Sequence, residues 1–374
     1  MAELRIGLEG VAVAESKISS VNGEKGEFIY RGYWAEEVVK NHTYEDIVHL
    51  LWFGHLPSES EASNFKNQLA SKRTLPEYIK AMIQLLPKSM PSMSVLRTVI
   101  SALEDTEADR VPTTDQALEI LAKAPTIITY HYNYINGIEE RQPRMDLSHA
   151  ANYLYMLHGE EPAESHIRAL DTYLMLSADH DMNASTFTSR VITSTRAGII
   201  SAIVGAIGAL IGPLHGGAPS KVDDMLDAIG TEENVEKWLR EQLENGERLM
   251  GFGHRVYKTY DPRAAALREV TQEFADENHL FKLSLLVEKV AIKLLEEYKP
   301  GRNLYPNLEF WAAGVLRTIR LPRELYTSTF CLSRIAGWSA QIIEQAANNR
   351  LIRPSCIYIG PKPTTPAPHK ESII

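Results

Sequence analysis

Apolar residues recur at helical spacing along almost the whole chain, and strand-like signals are confined to its start. Val11-Ala12-Val13 and Phe28-Ile29-Tyr30 flank the turn-rich Asn22-Gly23-Glu24-Lys25-Gly26, which predicts a small β-hairpin within residues 11–33. Thr43-Tyr44-Glu45-Asp46 then reads as a helix-starting capping box. Ile47, Leu50 and Leu51 supply its apolar face, and Gly54 and Pro57 end it. Ser58-Glu59-Ser60-Glu61 opens the next helix in the same way. Helical spacing broken by Gly or Pro continues over 93–103, 114–134, 147–157 and 164–176. An uncharged stretch follows at 197–214. Residues 221–299 are far more charged, with short amphipathic helices such as 235–243 and 283–298 ahead of a final helix at 327–348. The predicted fold is all-α, in two unequal helical layers, with the charged stretch as a smaller domain. From residue 361 the chain is Pro-rich, which predicts a mobile or extended arm.

Composition narrows the partners. A chain of 374 residues with 44% hydrophobic and 23% charged residues can bury a sizeable core. A net charge of −9 argues against nucleic acid or an anionic membrane as the main partner, so any anionic substrate needs a local cluster of Arg and His. Cys331 and Cys356 match no ligand spacing and make no disulfide framework, which favours a reducing compartment. The first residues show no basic region followed by an apolar core, so no signal peptide is expected and the cytoplasm is the expected location. The 197–214 stretch is long enough to span a membrane, but Gly205, Gly208 and Gly212 fall near one face beside Ala202 and Ala209. Such a face equally suits close helix packing in a core or a subunit interface.

Candidate chemistry sits at element ends. Gly251-Phe252-Gly253-His254 precedes Arg255, Lys258 and Arg263, with Asp261 and Pro262 reading as the N-cap and first turn of a helix. Gly212-Pro213-Leu214-His215-Gly216-Gly217 places a second histidine on a glycine-flanked turn. Asp179-His180-Asp181 closes a helix, and Glu309 lies among aromatic and aliphatic residues near a Pro-started helix. Each has an ordinary alternative: a solvated basic turn, a polar helix terminus, a first-turn Glu complementing the helix dipole. Burial of Glu309 would instead raise its pKa toward that of a working base. His42, His49 and His55 read as surface or packing residues. There is no phosphate loop, dinucleotide fingerprint or nucleophile elbow, and the four sites show no zinc spacing. Loop histidines, one carboxylate and scattered arginines suit acid–base chemistry on an anionic small molecule.

Taken together, these motifs resemble the citrate synthase family. The segment 251–263, the Gly-Pro-Leu-His-Gly-Gly at 212–217 and Ala178-Asp179-His180 match in the family's order, and the resemblance runs from the hairpin to Arg353-Pro354. It implies an α-helical homodimer, with a large domain (1–217 and 322–374) and a small domain (218–321) that closes over the substrates, and with the 197–214 helix at the dimer interface. It further implies condensation of acetyl-CoA with oxaloacetate and hydrolysis of the citryl thioester, at the entry to the tricarboxylic acid cycle. No separate cofactor or metal is implied, coenzyme A being part of a substrate. By the same resemblance, Glu309 would take the acetyl proton, His215 would stabilise the enolate, and His254 would act on the ketone. His180, Arg263, Arg334 and Arg353 would hold oxaloacetate, Arg353 from the other subunit, and Lys258 and Arg255 would meet the phosphates of coenzyme A.

One position departs from the family pattern: Glu309 stands where the family normally has Asp. The added methylene sets the backbone farther back and leaves efficiency and substrate preference open. The nearest rival is 2-methylcitrate synthase, which uses propionyl-CoA with the same residues. A second rival is a helical, CoA-binding scaffold that has lost catalysis.

Overall fold

The computed structural model describes residues 4–103, 111–216, 218–272 and 279–362. Near the start, β1 (Ser19–Asn22), β2 (Glu27–Tyr30) and β3 (Tyr33–Trp34) form an antiparallel sheet in that order. The expected hairpin is present, but its first strand is not at residues 11–13. Ser19 pairs with Tyr30 and Val21 with Phe28 across the Gly23–Gly26 connection. A tight connection fixes register from the turn outward, so the partners of Phe28 and Tyr30 must be the residues just before Asn22. Val11 is left exposed.

A single turn, α1 (Ala35–Val38), leads, among the described residues, into nine helices: α2 (Tyr44–Phe53), α3 (Glu59–Ser71), α4 (Glu77–Leu85), α5 (Ser92–Ser101), α6 (Thr114–Ile135), α7 (His149–His158), α8 (Glu164–Ser177), α9 (Ala184–Ser194) and α10 (Gly198–Leu210). Then come α11 (Ala218–Ile229), α12 (Val235–Glu244), α13 (Pro262–Gln272), α14 (His279–Tyr298), α15 (Leu308–Thr318) and α16 (Tyr326–Ala347). The fold is all-α apart from the small sheet. The two expected capping boxes are formed by Thr43 with Asp46 and Ser58 with Glu61, and a third, Thr113 with Gln116, starts α6. The Pro-rich tail lies outside the described residues beyond Lys362.

The core is built around α16, whose side chains are buried along most of its length and which packs on α2, α6, α8, α9 and α10. Helices α11 to α15 pack largely on one another, and they meet the rest along α8 and at α1 and α16. Helix α10 spans only Gly198–Leu210, and no helix among the described residues is long and apolar enough to cross a membrane. Its small residues first serve packing within the chain. A Cβ on Gly205 would lie 2.1 Å from Ile192 Cδ1 of α9, whereas one on Gly208 would meet nothing within 4 Å.

One close approach sets the floor of the site. Gly337 of α16 donates its N–H to the Ala178 carbonyl at 3.1 Å, just after α8 ends. A Cβ there would lie 2.1 Å from that carbonyl oxygen and 2.7 Å from Asp179 Oδ1. The neighbouring Asp179 is fully buried. Its Oδ2 accepts from Ser19 of β1 and from Gln341 of α16, and its N–H donates to the Tyr30 hydroxyl. The turn carrying His180 is thereby tied to the sheet on one side and to the core helix on the other. Gly337→Ala should lower stability by about 1–3 kcal/mol through overpacking. Gly314→Ala in α15, whose Cβ would meet only Thr271 Cγ2 at 3.8 Å, should change it by less than about 1 kcal/mol or stabilise. Thermal unfolding of the two variants side by side checks this, and equal losses would contradict it.

Candidate active site

The segment 251–254 is stitched to 305–307. Gly253 N–H donates to Tyr305 O (2.8 Å), Asn307 N–H to Gly251 O (2.8 Å), and the Asn307 amide to Gly253 O (2.9 Å). Gly251 and Gly253 both have φ near +80°, and a Cβ on either would lie 2.8 Å from Phe310 Cβ or Leu304 Cδ2 respectively. This stitch joins the loop of His254 to the start of α15, where Asn307 caps the helix and Glu309 occupies the first turn.

Asp261 holds the same region from beneath. Its carboxylate takes the Arg263 guanidinium in two bonds, at 2.9 and 2.8 Å, and also accepts the Leu308 N–H at 3.0 Å. Burial pushes the Asp261 pKa up, but the charge and hydrogen bonds of Arg263, with His254 and the Leu308 N–H, outweigh it and leave the group below the ordinary carboxylate range. Arg263 also lies over the rings of Tyr257 and Phe28, at 5.6 and 5.9 Å.

The histidines have assignable protons. His254 Nδ1 accepts the backbone N–H groups of Val256 (3.0 Å) and Tyr257 (3.2 Å), so the proton of the neutral ring sits on Nε2. Arg263 Nη2 lies 3.4 Å from that Nε2. Two donors this close can share one acceptor lying to the side of both. His215 Nε2 accepts the Ser185 N–H at 3.3 Å and lies 2.8 Å from the Ser185 hydroxyl, which puts its proton on Nδ1. Ser185 is itself fixed: its Oγ accepts from Trp338 Nε1 (3.1 Å), and its single proton is shared between Asn183 Oδ1 and His215 Nε2, each 2.8 Å away. His180 Nε2 meets the Tyr257 hydroxyl at 3.2 Å, and its ring lies 5.6 Å from that of His254.

All three rings are held neutral. Burial, then the charge of Arg263, lowers His254 to about 4, and burial with Arg334 lowers His215 to about 4. His180 is pushed well below its ordinary value by burial, Arg263, His254 and Arg334. Glu309 goes the other way. Burial raises it to about 7, with Arg263 opposing and Asp261 adding to the rise. Arg334 is buried, anchored by an Nε bond to Ser177 O at 2.8 Å, and stacked over Phe330.

His180, His254 and Arg263 therefore come into direct contact, and the charges of Arg334 and Arg263 tie in His215 and Glu309. Arg255 and Lys258 are exposed at the outer edge of the loop, with Lys258 Nζ bonded to Arg255 O at 3.2 Å. Arg353 is elsewhere. It is exposed and lines a groove of about 1150 Å³ with the N-terminal segment, Arg190 and the end of α16. Among the described residues the grouping able to ligate a metal is His49, His55 and Glu61, from α2, the turn after it and α3. Sequence reasoning saw Asp261 as an N-cap but missed its ion pair, although an Asp two residues before an Arg at a helix start was the signal. It also missed Tyr257, Ser185 and Trp338. The last two lie 30 and 123 residues from His215, and no local pattern links them to it.

A half-buried, neutral pair of imidazole donors and a half-buried carboxylate of raised basicity, with two buried guanidiniums, define an acid–base enzyme for a small anionic substrate. A family model described as "Citrate synthase, C-terminal domain" matches residues 7–355. The chain belongs to the citrate synthase family, and it is an acyltransferase of that family rather than a scaffold that has lost catalysis. It is 39% identical to "Citrate synthase" of Haloferax volcanii over 373 residues, 96% of this chain and 97% of that one. It is 38% identical to "Citrate/2-methylcitrate synthase" of Bacillus subtilis, over 95% and 96% of the two chains. The fold is similar to that of citrate synthase from Thermoplasma acidophilum, solved as a ternary complex with carboxymethyl coenzyme A and oxaloacetate (TM-score 0.88, 30% identity, 98% and 99% covered).

The Asp261 clamp should be the costliest ion pair to break. Asp261→Ala leaves a buried guanidinium and a helix N–H unpaired and should cost about 3–5 kcal/mol. Glu160→Ala, which breaks an exposed pair with Arg320, should cost about 0–1 kcal/mol. Denaturant unfolding of both variants measures the difference, and equal costs would remove Asp261 as the anchor.

Proposed function

We propose that the chain condenses acetyl-CoA with oxaloacetate and hydrolyses the resulting citryl thioester to citrate and coenzyme A, at the entry to the tricarboxylic acid cycle in the cytoplasm. The observation that carries this reading is the opposed protonation of the site: two neutral histidines, each with one N–H left to donate, and a carboxylate raised to about 7. Glu309 removes a proton from the acetyl methyl group. That carbon is a weak acid, so the thioester oxygen needs a donor as charge develops on it, and His215 Nδ1–H supplies one. The enolate carbon attacks the ketone of oxaloacetate, whose oxygen takes the proton of His254 Nε2. Water then cleaves the thioester.

Arg263 and Arg334 hold the oxaloacetate carboxylates, with His180 orienting the molecule. A guanidinium's planar fork suits this better than an ammonium. The protein acts as a homodimer in which Arg353 of the partner subunit completes the set; its distance from the site of its own chain supports this. Residues 218–321 close over the substrates, and the exposed Arg255 and Lys258 then meet the phosphates of coenzyme A. A second reading, propionyl-CoA as acyl donor, is favoured by the Bacillus subtilis relative whose name carries both activities. One methylene is worth about 1–3 kcal/mol of discrimination, so turnover with the two thioesters decides between them.

Glu309→Gln should cut condensation by about 10²–10⁴-fold, the range for a lost general base, with oxaloacetate affinity nearly unchanged. Thiol release and calorimetry measure the two, and wild-type turnover would remove Glu309 from the mechanism. The pH dependence should carry the same signature. Below about pH 7 Glu309 gains its proton and kcat/KM for acetyl-CoA should fall about tenfold per pH unit, while the histidines, at about 4, stay neutral. Because the folded-state pKa of Glu309 is raised, its contribution to stability is present at low pH and lost as pH rises through 7. Glu309→Gln should therefore be more stable than wild type at pH 8, with the gap closing toward pH 5. An acid limb near pH 4, or no pH-dependent gap, would contradict the assignment.

A further inference from the structure

Gly54, with φ of 88°, ends α2 and turns the chain back, so that His55 folds over His49 one and a half turns earlier. Their rings stand edge to face with centroids 5.0 Å apart. The His49 ring is buried between Phe53 and Phe65, and its Nδ1 lies 3.1 Å from the His55 carbonyl oxygen. A carbonyl only accepts, so Nδ1 carries the proton and Nε2 keeps its lone pair. His55 Nε2 in turn lies 3.3 Å from Glu61 Oε1. The other carboxylate oxygen, Oε2, is fixed by the Ser58 N–H (2.8 Å) and hydroxyl (2.7 Å) of the capping box.

We propose that His49, His55 and Glu61 form a binding site for a divalent transition-metal ion of the zinc class, remote from the catalytic groups. Two imidazoles and one carboxylate are a donor set that zinc takes with water in the fourth position. One ring nitrogen from each histidine and a carboxylate oxygen of Glu61 lie within 4.8 Å of one another. Tetrahedral zinc needs them roughly 3.4 Å apart, given bonds of about 2.0–2.1 Å. The side chains of His55 and Glu61 are half-exposed, at 56% and 46%, and can close that gap by small rotations, whereas His49 is held by its rings and carbonyl. Carbonyl-bound Nδ1 on His49 and the Ser58 bonds on Glu61 are the kind of outer contacts that orient metal ligands. The bound ion would staple the last turns of α2 to the first turn of α3. The alternative occupant of this geometry is an ordinary His55–Glu61 ion pair, which needs no metal.

Zinc titration into the metal-stripped full-length protein, by calorimetry and thermal unfolding, separates the two. Glu61→Gln removes the carboxylate but keeps a residue that still completes the capping box, so the fold survives the substitution. His55→Ala removes an exposed ring. The expected result is one Zn²⁺ per chain with a raised Tm, and binding weakened by at least about tenfold in each variant, the loss seen even when only an outer partner of a ligand is removed. Absence of binding to the wild type, or equal affinity in all three proteins, would overturn the proposal.

Discussion

The buried ion pair of Asp261 and Arg263 is the contact on which the catalytic geometry depends. One carboxylate holds a guanidinium in two bonds and a helix N–H in a third, and these three groups come from the starts of two different helices. A charge pair taken out of water gains little net stability over an apolar replacement, but a half-broken pair is costly. The arrangement is thus all-or-none. Arg263 cannot wander, its charge adds to burial in keeping His254 and His180 unprotonated, and α15 starts at a fixed height above it, which sets where Glu309 emerges.

The site uses burial for opposite ends on opposite chemistries. Loss of water lowers imidazoles and raises a carboxylate, so one dry environment yields donors that are neutral and a base that is strong enough to be useful. The arginines split the effect. They push the histidines down further, and Arg263 keeps Glu309 from rising beyond the range where it still ionises at neutral pH. Positive charge is therefore a tuning element here, before any substrate carboxylate reaches it.

The helices, the loop positions of His180, His215 and His254, and the helix-start position of Glu309 were legible from the chain alone because each lies where helical spacing breaks at Gly, Pro or a polar cluster. The all-α fold followed from the same periodicity, and so did the two capping boxes. Less legible was anything that depends on two distant segments meeting. Residues 11–13 look more strand-like than Ser19–Asn22, yet the register imposed by the turn wins. Asp261 as a helix cap was visible, but its grip on Leu308, 47 residues away, was not. Ser185 lies in the first turn of α9, and only the packing of α9 against α16 and the 211–216 turn makes it the residue that orients His215. Arg353 was assigned through family resemblance alone, and a single chain does not bring it to the other groups.

The tip of the sheet carries a quieter consequence. Gly23 donates no side chain, but its carbonyl accepts the Lys258 N–H at 2.9 Å, and a Cβ on it would lie 2.0 Å from the Val256 carbonyl oxygen. A Cβ on Gly26 would lie 2.9 Å from Thr259 Cγ2 and from the Tyr260 carbonyl oxygen. Backbone therefore rests on backbone where Gly23 touches the histidine loop, and the hairpin offers no side chain there to absorb a change in length. Surface turns are usually the natural places to splice in a tag, a linker or a foreign epitope. This one is a spacer of fixed thickness between the first strands and the catalytic loop, and any residue added to it would be felt at His254.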